Sequence, residues 1–159
     1  MNLIDLLKEK IPPEKLFKLL RFWPPYLGAG IKVTNVSTDI LKLEVEMDLT
    51  WYNKNFVGTH FGGSLFAMTD PFYMLMLIKN LGSSYIIWDK SAKIEFIKPA
   101  KGKVKAHFEF TKDEIDEIKY NCDIKKKYIF NKEIFIFDEI GELVTKVEKT
   151  LYVKKSNVT

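Results

Sequence analysis

The stretch Asn55-Phe-Val-Gly-Thr-His-Phe-Gly-Gly-Ser-Leu-Phe-Ala-Met-Thr-Asp70 decides how the rest of this chain can fold. It begins as a polar, glycine-bearing loop and runs into an apolar segment that continues to Ile78. Residues 64–79 are apolar nearly all round, and a helix with no polar face is buried on most sides. The sequence therefore predicts a long central helix over residues 62–80, ended by Gly82.

Asp70 is the one carboxylate inside this apolar segment. An ionised carboxylate in such surroundings costs several kcal/mol unless it is paired or hydrogen-bonded. Pro71 follows at once and predicts a kink beside the carboxylate, because proline removes an intrahelical hydrogen bond. Asp70 is therefore a candidate for either a structural or a chemical role.

Gly62 and Gly63 mark the expected start of the helix, where they allow another backbone to approach closely. The free N–H groups of a helix N-terminus favour an anion or a polarised carbonyl oxygen. On one straight helix these glycines and Asp70 lie about two turns, roughly 10 Å, apart. A symmetric homodimer could bring Asp70 of one copy to the glycines of the other.

These residues resemble a pattern of the thioesterase superfamily of hotdog-fold proteins. That pattern runs Asn, two residues, Gly-Thr, one residue, His-Gly-Gly, and then Asp seven residues after the last glycine. The matching positions here are Asn55, Gly58, Thr59, Gly62, Gly63 and Asp70. Segments 23–30, 70–74 and 88–90 are similar to one hotdog branch, described as potential tetrameric acyl-CoA thioesterases. The chain departs from the pattern at its histidine position, which holds Phe61, with His60 one residue earlier.

The resemblance implies a hotdog fold and hydrolysis of an acyl thioester, with acyl-CoA as the expected substrate. It implies that Asp70 is the general base or nucleophile, that the N–H groups of Gly62 and Gly63 polarise the carbonyl, and that Asn55 positions water or substrate. Two other functions stay open. One is a non-catalytic acyl-CoA or acyl-carrier binding protein, which Phe61 favours. The other is a hydratase or dehydratase, for which no histidine shares a helix face with Asp70.

Several side chains are candidates for binding the substrate. Phe61 is expected to form a wall for the acyl chain, although a one-residue shift of the loop would bring His60 to the same place. Lys98 and Lys101 flank the turn 99–102 and are candidates for the phosphates of CoA, with a solvated turn as the alternative.

Strand alternation predicts which side chains of the segment 85–97 point inward. It places Trp88, Lys90 and Ile94 on one face. Lys90 on that face would then extend to solvent or pair with Asp70 or Asp89. Asp89 and Lys90 are accordingly further candidate substrate-binding residues.

The remaining pattern indicates one hotdog domain over residues 1–159, beginning with a helical cap over residues 1–27. Strands are predicted at 31–36, 41–49, 85–97, 104–110, 128–137 and 143–154. An amphipathic helix is predicted at 111–125, with Thr111 and Glu114 fitting a capping box at its start. Helices, two strands, one long buried helix and four strands predict an α+β protein, with an antiparallel sheet wrapped around the helix. The exposed sheet edge and outer face would suit a homodimer or a dimer of dimers.

Composition excludes several classes of function. The chain has 159 residues, 47% of them hydrophobic and 29% charged, with a net charge of +4. Because the lysines are dispersed, nucleic-acid binding has little support. A single cysteine, Cys122, excludes an intrachain disulfide and fits a reducing, cytoplasmic compartment.

No phosphate-binding glycine loop and no metal-ligand spacing are present in the sequence, so no cofactor and no metal are expected. The apolar run 65–78 is shorter than a membrane span and contains Asp70 and Pro71, so no stable membrane insertion is expected.

Overall fold

A computed structural model describes residues 12–156 of the chain. Its strands are β1 (Ile31–Val36), β2 (Lys42–Met47), β3 (Tyr85–Phe96), β4 (Val104–Glu109), β5 (Lys127–Asp138) and β6 (Leu143–Lys155). Its helices are α1 (Pro13–Leu19), α2 (Pro24–Ala29), α3 (Gly62–Ala67), α4 (Phe72–Leu81) and α5 (Lys112–Lys125), with a short 3₁₀ turn at Leu20–Phe22. The strands form one antiparallel sheet in the order β1-β2-β4-β5-β6-β3. The predicted α+β hotdog architecture is confirmed.

The strands form where apolar and polar residues alternate, as the sequence predicted. In β2, Leu43, Val45 and Met47 are buried, and the residues between them are not. In the thirteen-residue β6, Val147, Leu151 and Val153 are buried in the same way. One face of the sheet therefore packs on the core, and the other faces outward.

The central helix differs from the prediction, because it is two helices. Helix α3 ends at Ala67, and α4 begins at Phe72. Pro71 has no N–H to continue the ladder, and its ring would clash with the carbonyl of residue 67. The hydroxyl of Thr69 also donates to the carbonyl of Phe66 at 2.7 Å, which competes with the helical pattern. The predicted kink is thus a full break, and Asp70 lies in the connection.

Helix α4 lies against the inner face of the sheet and carries much of the core. Its buried side chains are Phe72, Tyr73, Met76, Leu77 and Leu81. The Phe72 and Tyr73 rings each lie 5.2 Å from the ring of Phe108 on β4. Tyr26 of α2 meets Phe72 from the other side, at 5.7 Å between ring centres. Aromatic contacts therefore fix α4 between the sheet and the N-terminal helices.

A β-bulge in β3 overturns the predicted face of Lys90. Asp89 pairs with Leu151 and Ser91 pairs with Thr150, so Lys90 is an extra residue in its strand. A bulge reverses the alternation on its two sides. Before the bulge, Asp89 points inward with Ile87, whereas Trp88 stacks on Tyr152 on the outer face. Lys90 itself is exposed and is not paired with Asp70 or Asp89.

The ends of the helices follow local signals in the sequence. Helix α1 begins at Pro13, and Pro24 begins α2 as well as ending the preceding helical segment. The predicted capping box at the start of α5 is confirmed by the reciprocal bonds between Thr111 and Glu114. Residues 1–11 of the predicted N-terminal cap lie outside the described residues. Within residues 12–156, no helix is both long and apolar enough to cross a membrane.

Candidate active site

Asp70 is held in the connection between α3 and α4 by its own backbone. Its N–H donates to the carbonyl of Ala67 at 3.1 Å, and its carbonyl accepts a hydrogen bond from the hydroxyl of Tyr26. The Asp70–Pro71 peptide bond is cis. The Asp70 side chain is 50% exposed, so its carboxylate can be reached from solvent.

A buried lysine joins Asp70 to a second carboxylate. The Lys149 Nζ of β6 lies 2.5 Å from Oδ1 of Asp70 and 2.9 Å from Oδ2 of Asp89. The Lys149 side chain is 2% exposed and that of Asp89 is 16% exposed. An ammonium buried this deeply needs its charge balanced, and the two carboxylates do so. The sequence places Asp70 and Asp89 separately, and the fold brings them together.

The two carboxyl groups have opposite pKa shifts. Burial acts to raise the pKa of Asp70, but hydrogen bonds with Asp89 and Lys149 outweigh it, and the net pKa lies below the ordinary value. Burial and the hydrogen-bonded Asp70 raise the pKa of Asp89 to about 6. Asp89 Oδ1 is buried and has no hydrogen-bond partner among the described residues, because Lys149 bonds to the other oxygen, Oδ2. Asp70 is therefore the ionised member of the pair, and Asp89 is the member that holds a proton more readily.

Lys149 is the site residue that the sequence analysis missed. A signal for it was present, since Lys149 interrupts the inward series Val147, Leu151 and Val153 of β6. A lysine at an inward position of a strand needs a buried partner. Which carboxylate it meets depends on the pairing of β3 with β6, and the sequence does not give that register.

The start of α3 is closed over by aromatic rings. A side chain at Gly63 would lie 2.4 Å from the Phe61 ring, and one at Gly62 would lie 3.0 Å from the Phe96 ring. The two glycines therefore let both rings pack directly on the helix. Ser64 and Leu65 donate to the carbonyl of Phe61. The N–H groups of Gly62 and Gly63 have no acceptor among the described residues.

His60 and Phe61 point to different places. The His60 ring is buried, and its Nε2 lies 2.8 Å from the carbonyl oxygen of Gly102. Burial lowers the pKa of His60, so the ring is neutral and Nε2–H donates this bond. Phe61 is exposed and covers the helix start. His60 therefore faces the β3–β4 turn, and Phe61 lies at the start of α3.

Asn55 organises its own loop. Its side-chain amide donates to the hydroxyl of Thr59 and the carbonyl of His60, at 2.8 and 3.2 Å. Its side-chain oxygen accepts from the N–H groups of Val57 and Thr59, at 3.1 and 3.0 Å. These four bonds engage the side chain in holding residues 55–60, whereas the sequence analysis expected it to position water or substrate.

The candidate phosphate-binding lysines are not equivalent. Lys98 is paired with Asp138 at 2.8 Å and also with Glu142. Lys101 is exposed at the β3–β4 turn, and no ion pair is found for it among the described residues. Of the two, Lys101 is the one that has a free charge to offer a ligand.

A groove runs beside the start of α3. It has a volume of about 430 Å³ and is bounded by α2, by the segment 52–54 and by α3. Phe61, Gly63 and Ala67 line one wall, and Tyr52 and Lys54 line another. Phe61 thus forms part of a cleft, which is the setting that its predicted role as a wall requires. No group of three or more potential metal ligands occurs within residues 12–156.

One antiparallel sheet packed around two consecutive central helices defines a protein of the hotdog fold. The chain belongs to the family described as "Domain of unknown function (DUF4442)", whose model matches residues 14–153. A comparison with curated proteins gives no match.

Three solved structures illustrate the likeness in fold. A Pseudomonas aeruginosa protein described as a "Probable Thioesterase" has a TM-score of 0.80 at 17% identity, over 89% of this chain and 95% of that one. A thioesterase from Haemophilus influenzae has a TM-score of 0.63 at 16% identity, over 89% and 90% of the two chains. A variant of a thioesterase from Staphylococcus aureus has a TM-score of 0.56 at 18% identity, over 86% and 98%. At these identities the likeness is one of fold.

Proposed function

We propose that this protein hydrolyses acyl thioesters, with acyl-CoA as the substrate and Asp70 as the base. The observation that carries the proposal is the accessible Asp70 carboxylate, ionised beside a buried ammonium at 2.5 Å. Solved structures of the same fold include proteins described as thioesterases. Thioester hydrolysis needs a base for water and donors for the developing oxyanion, and this chain offers candidates for both.

In the proposed reaction, Asp70 takes a proton from a water molecule as the water oxygen attacks the thioester carbon. The negative charge then develops on the former carbonyl oxygen. We assign the N–H groups of Gly62 and Gly63 as its donors, since they have no acceptor among the described residues. The carbon–sulfur bond then breaks, and the sulfur leaves as a thiol after it receives a proton.

The proposed site uses two copies of the chain. Gly63 lies at the start of α3, and Asp70 lies beyond its other end, in the connection to α4. A continuous helix would place two residues with this spacing roughly 10 Å apart, which is too far to serve one carbonyl. Strand β3 is an edge strand of twelve residues, and an unpaired edge is a template for pairing with another chain. Both features support a homodimer in which Asp70 of one copy faces the glycines of the other.

Substrate binding is assigned to the groove and to the β3–β4 turn. Phe61 and Ala67 give the groove apolar walls that suit an acyl chain. Lys101 is the proposed contact for a CoA phosphate, because Lys98 is already paired with two carboxylates. We assign no substrate contact to Lys90, which the bulge of β3 turns away from the site.

The test is the substitution Asp70→Asn, which keeps nearly the same shape. Hydrolysis of acyl-CoA thioesters of several chain lengths is followed by release of free thiol. We expect the turnover number to fall at least about 100-fold, the usual contribution of a positioned acid or base. The matched control Asp123→Asn removes an exposed carboxylate of α5 and should leave turnover unchanged.

A non-catalytic acyl-CoA binding protein is the second candidate. The observation that favours it is the pair of Phe61 and His60, since the first offers no hydrogen bond and the second is bonded to Gly102. Saturable binding of acyl-CoA without release of thiol by the unaltered protein would support this function and exclude hydrolysis. Undiminished turnover in Asp70→Asn would instead show that another group is the base.

A further inference from the structure

The cluster of Asp70, Lys149 and Asp89 contains two charged groups in addition to the proposed base, Asp70. A carboxylate whose pKa is lowered is a weak base, and general-base catalysis works best when the pKa of the base is near the operating pH. Asp89 lies behind Asp70, is more deeply buried and has a pKa of about 6. The carboxyl nearer to solvent and the carboxyl of higher proton affinity are therefore different residues.

The geometry links the two groups directly. Lys149 Nζ contacts both carboxylates, at 2.5 and 2.9 Å, and so fixes one oxygen of each. Asp89 Oδ1 is buried and has no hydrogen-bond partner among the described residues. Lys149 holds Asp70 beside Asp89, and the unpartnered Oδ1 is the Asp89 oxygen left to take up a proton. The cluster is therefore a pair of carboxyl groups that the Lys149 ammonium holds together.

We propose that Asp89 is the proton store of the Asp70 base and that Lys149 is the positioning residue that holds the pair together. This inference rests on the proposed thioester hydrolysis. Asp70 takes the proton of the attacking water and passes it to Asp89 Oδ1, which leaves Asp70 ionised. When the carbon–sulfur bond breaks, the same proton returns through Asp70 to the thiolate. One water is consumed, one carboxylic acid and one thiol are formed, and the pair ends with the protons with which it began.

Two further titratable groups lie near the cluster, one on α2 and one on β5. Tyr26 of α2 donates its hydroxyl to the Asp70 carbonyl, and burial with the two nearby carboxylates raises its pKa. On β5, Lys132 is paired with Lys149 in register, and its own ammonium is bonded to Glu114 of α5 at 2.7 Å. Tyr26 stays neutral and Lys132 has its own partner. The protons exchanged near pH 6 therefore belong to the pair.

The first arm of the experiment is the pH profile of kcat/KM on an acyl-CoA substrate, for four proteins. The unaltered enzyme should gain activity as the pH rises through about 6, because Asp89 must be ionised to receive a proton. Asp89→Asn should lose that step and lower kcat at least about 10-fold with little change in KM. Lys149→Met should lower kcat by a similar factor. The control Lys146→Met, which removes a partly exposed lysine from the same strand, should match the unaltered enzyme.

The second arm does not depend on activity. The aspartate carboxyl carbons are labelled with ¹³C, and their titration is followed by NMR in the unaltered protein and in Asp70→Asn. Asp89 should titrate at a lower pH when the Asp70 charge is removed, because a neighbouring carboxylate disfavours ionisation. If Lys149→Met fails to fold, Asp89→Asn and this titration decide the question.

The outcomes separate the two proposals. An unaltered pH profile in an active Asp89→Asn variant would overturn the proton store and leave thioester hydrolysis standing. An Asp89 titration that is the same with and without Asp70 would show that the two groups do not act as a pair. Absence of turnover on every thioester would refute both the hydrolysis and the proton store that rests on it. A shifted Asp89 titration would then establish the pair as a structural feature alone.

Discussion

A carboxyl group that holds its proton in the folded state makes stability depend on pH. The pKa of Asp89 is raised from an ordinary 3.8 to about 6. The folded protein therefore binds this proton more tightly than the unfolded chain does. The contribution to stability is full below about pH 3.8 and is lost as the pH rises through about 6. The lowered pKa of Asp70 acts in the opposite direction, but at a lower pH, below its ordinary value.

This predicts a measurable change in the variant Asp89→Asn, whose amide does not ionise. Between about pH 4 and about pH 7, the unfolding free energy of the unaltered protein should fall relative to that of the variant, by on the order of 2 kcal/mol. Urea unfolding at the two pH values measures the difference. If the difference in unfolding free energy between the two proteins is the same at both pH values, Asp89 titrates like an ordinary carboxyl.

At the scale of residues, the two carboxylates of the cluster were candidates from the sequence, and the lysine between them was not. The sequence predicted a role for Asp70 because a lone carboxylate in an apolar segment is costly unless it has a structural or chemical function. Lys149 lies 79 residues further along the chain, and its contact with Asp70 exists only in the folded sheet. The outward placement of Lys90 was missed for a related reason. One extra residue in β3 reverses the alternation of its side chains, and no residue type in the segment indicates that a bulge is present.

At the scale of elements, the loop before α3 is set by one side chain. The amide of Asn55 makes four hydrogen bonds within residues 55–60. This arrangement places Phe61 over Gly63 and turns His60 toward Gly102. The position of the proposed oxyanion donors thus depends on the loop, and the loop depends on Asn55.

The variants Asn55→Ala and Asn55→Asp separate the two kinds of bond. Alanine removes all four bonds and should lower the unfolding free energy by about 1–3 kcal/mol. Aspartate keeps the two acceptor bonds to Val57 and Thr59 and should lose about half as much. Urea unfolding measures both values. Equal losses in the two variants would contradict the role of the acceptor bonds in holding the loop.

The elements themselves were largely predictable, and the exceptions have physical reasons. The sequence predicted β2 from its alternation and the start of α5 from its capping box, because each is a local signal. Pro71 predicted a kink. In the structure the helix breaks completely between α3 and α4, where the Thr69 hydroxyl also bonds to the carbonyl of Phe66. The apolar pattern of residues 64–79 is compatible with one helix or with two, so this pattern did not predict the break.

At the scale of the whole molecule, residues 12–156 of one chain do not fully bury the central helices. The sequence predicted burial on most sides, since residues 64–79 have almost no polar face. The sheet covers only one side, and Phe66 and Ile78 remain exposed, Ile78 by 38%. Met74 and Leu75 are only partly buried. This apolar face, beside the edge strand β3 of the described sheet, is the surface that the proposed second copy would bury.

We therefore predict that Ile78→Glu disrupts a homodimer. A glutamate at a buried interface loses its water without gaining a partner, and that cost should weaken self-association at least about 10-fold. Sedimentation velocity over a range of protein concentrations measures the change. The control is Ile140→Glu, at a position that is 77% exposed in the β5–β6 turn, and it should sediment as the unaltered protein does. A dimer that survives Ile78→Glu would place the interface elsewhere. An unaltered protein that is a fully active monomer would refute the two-copy site, because Gly63 and Asp70 would then have to act from a single chain.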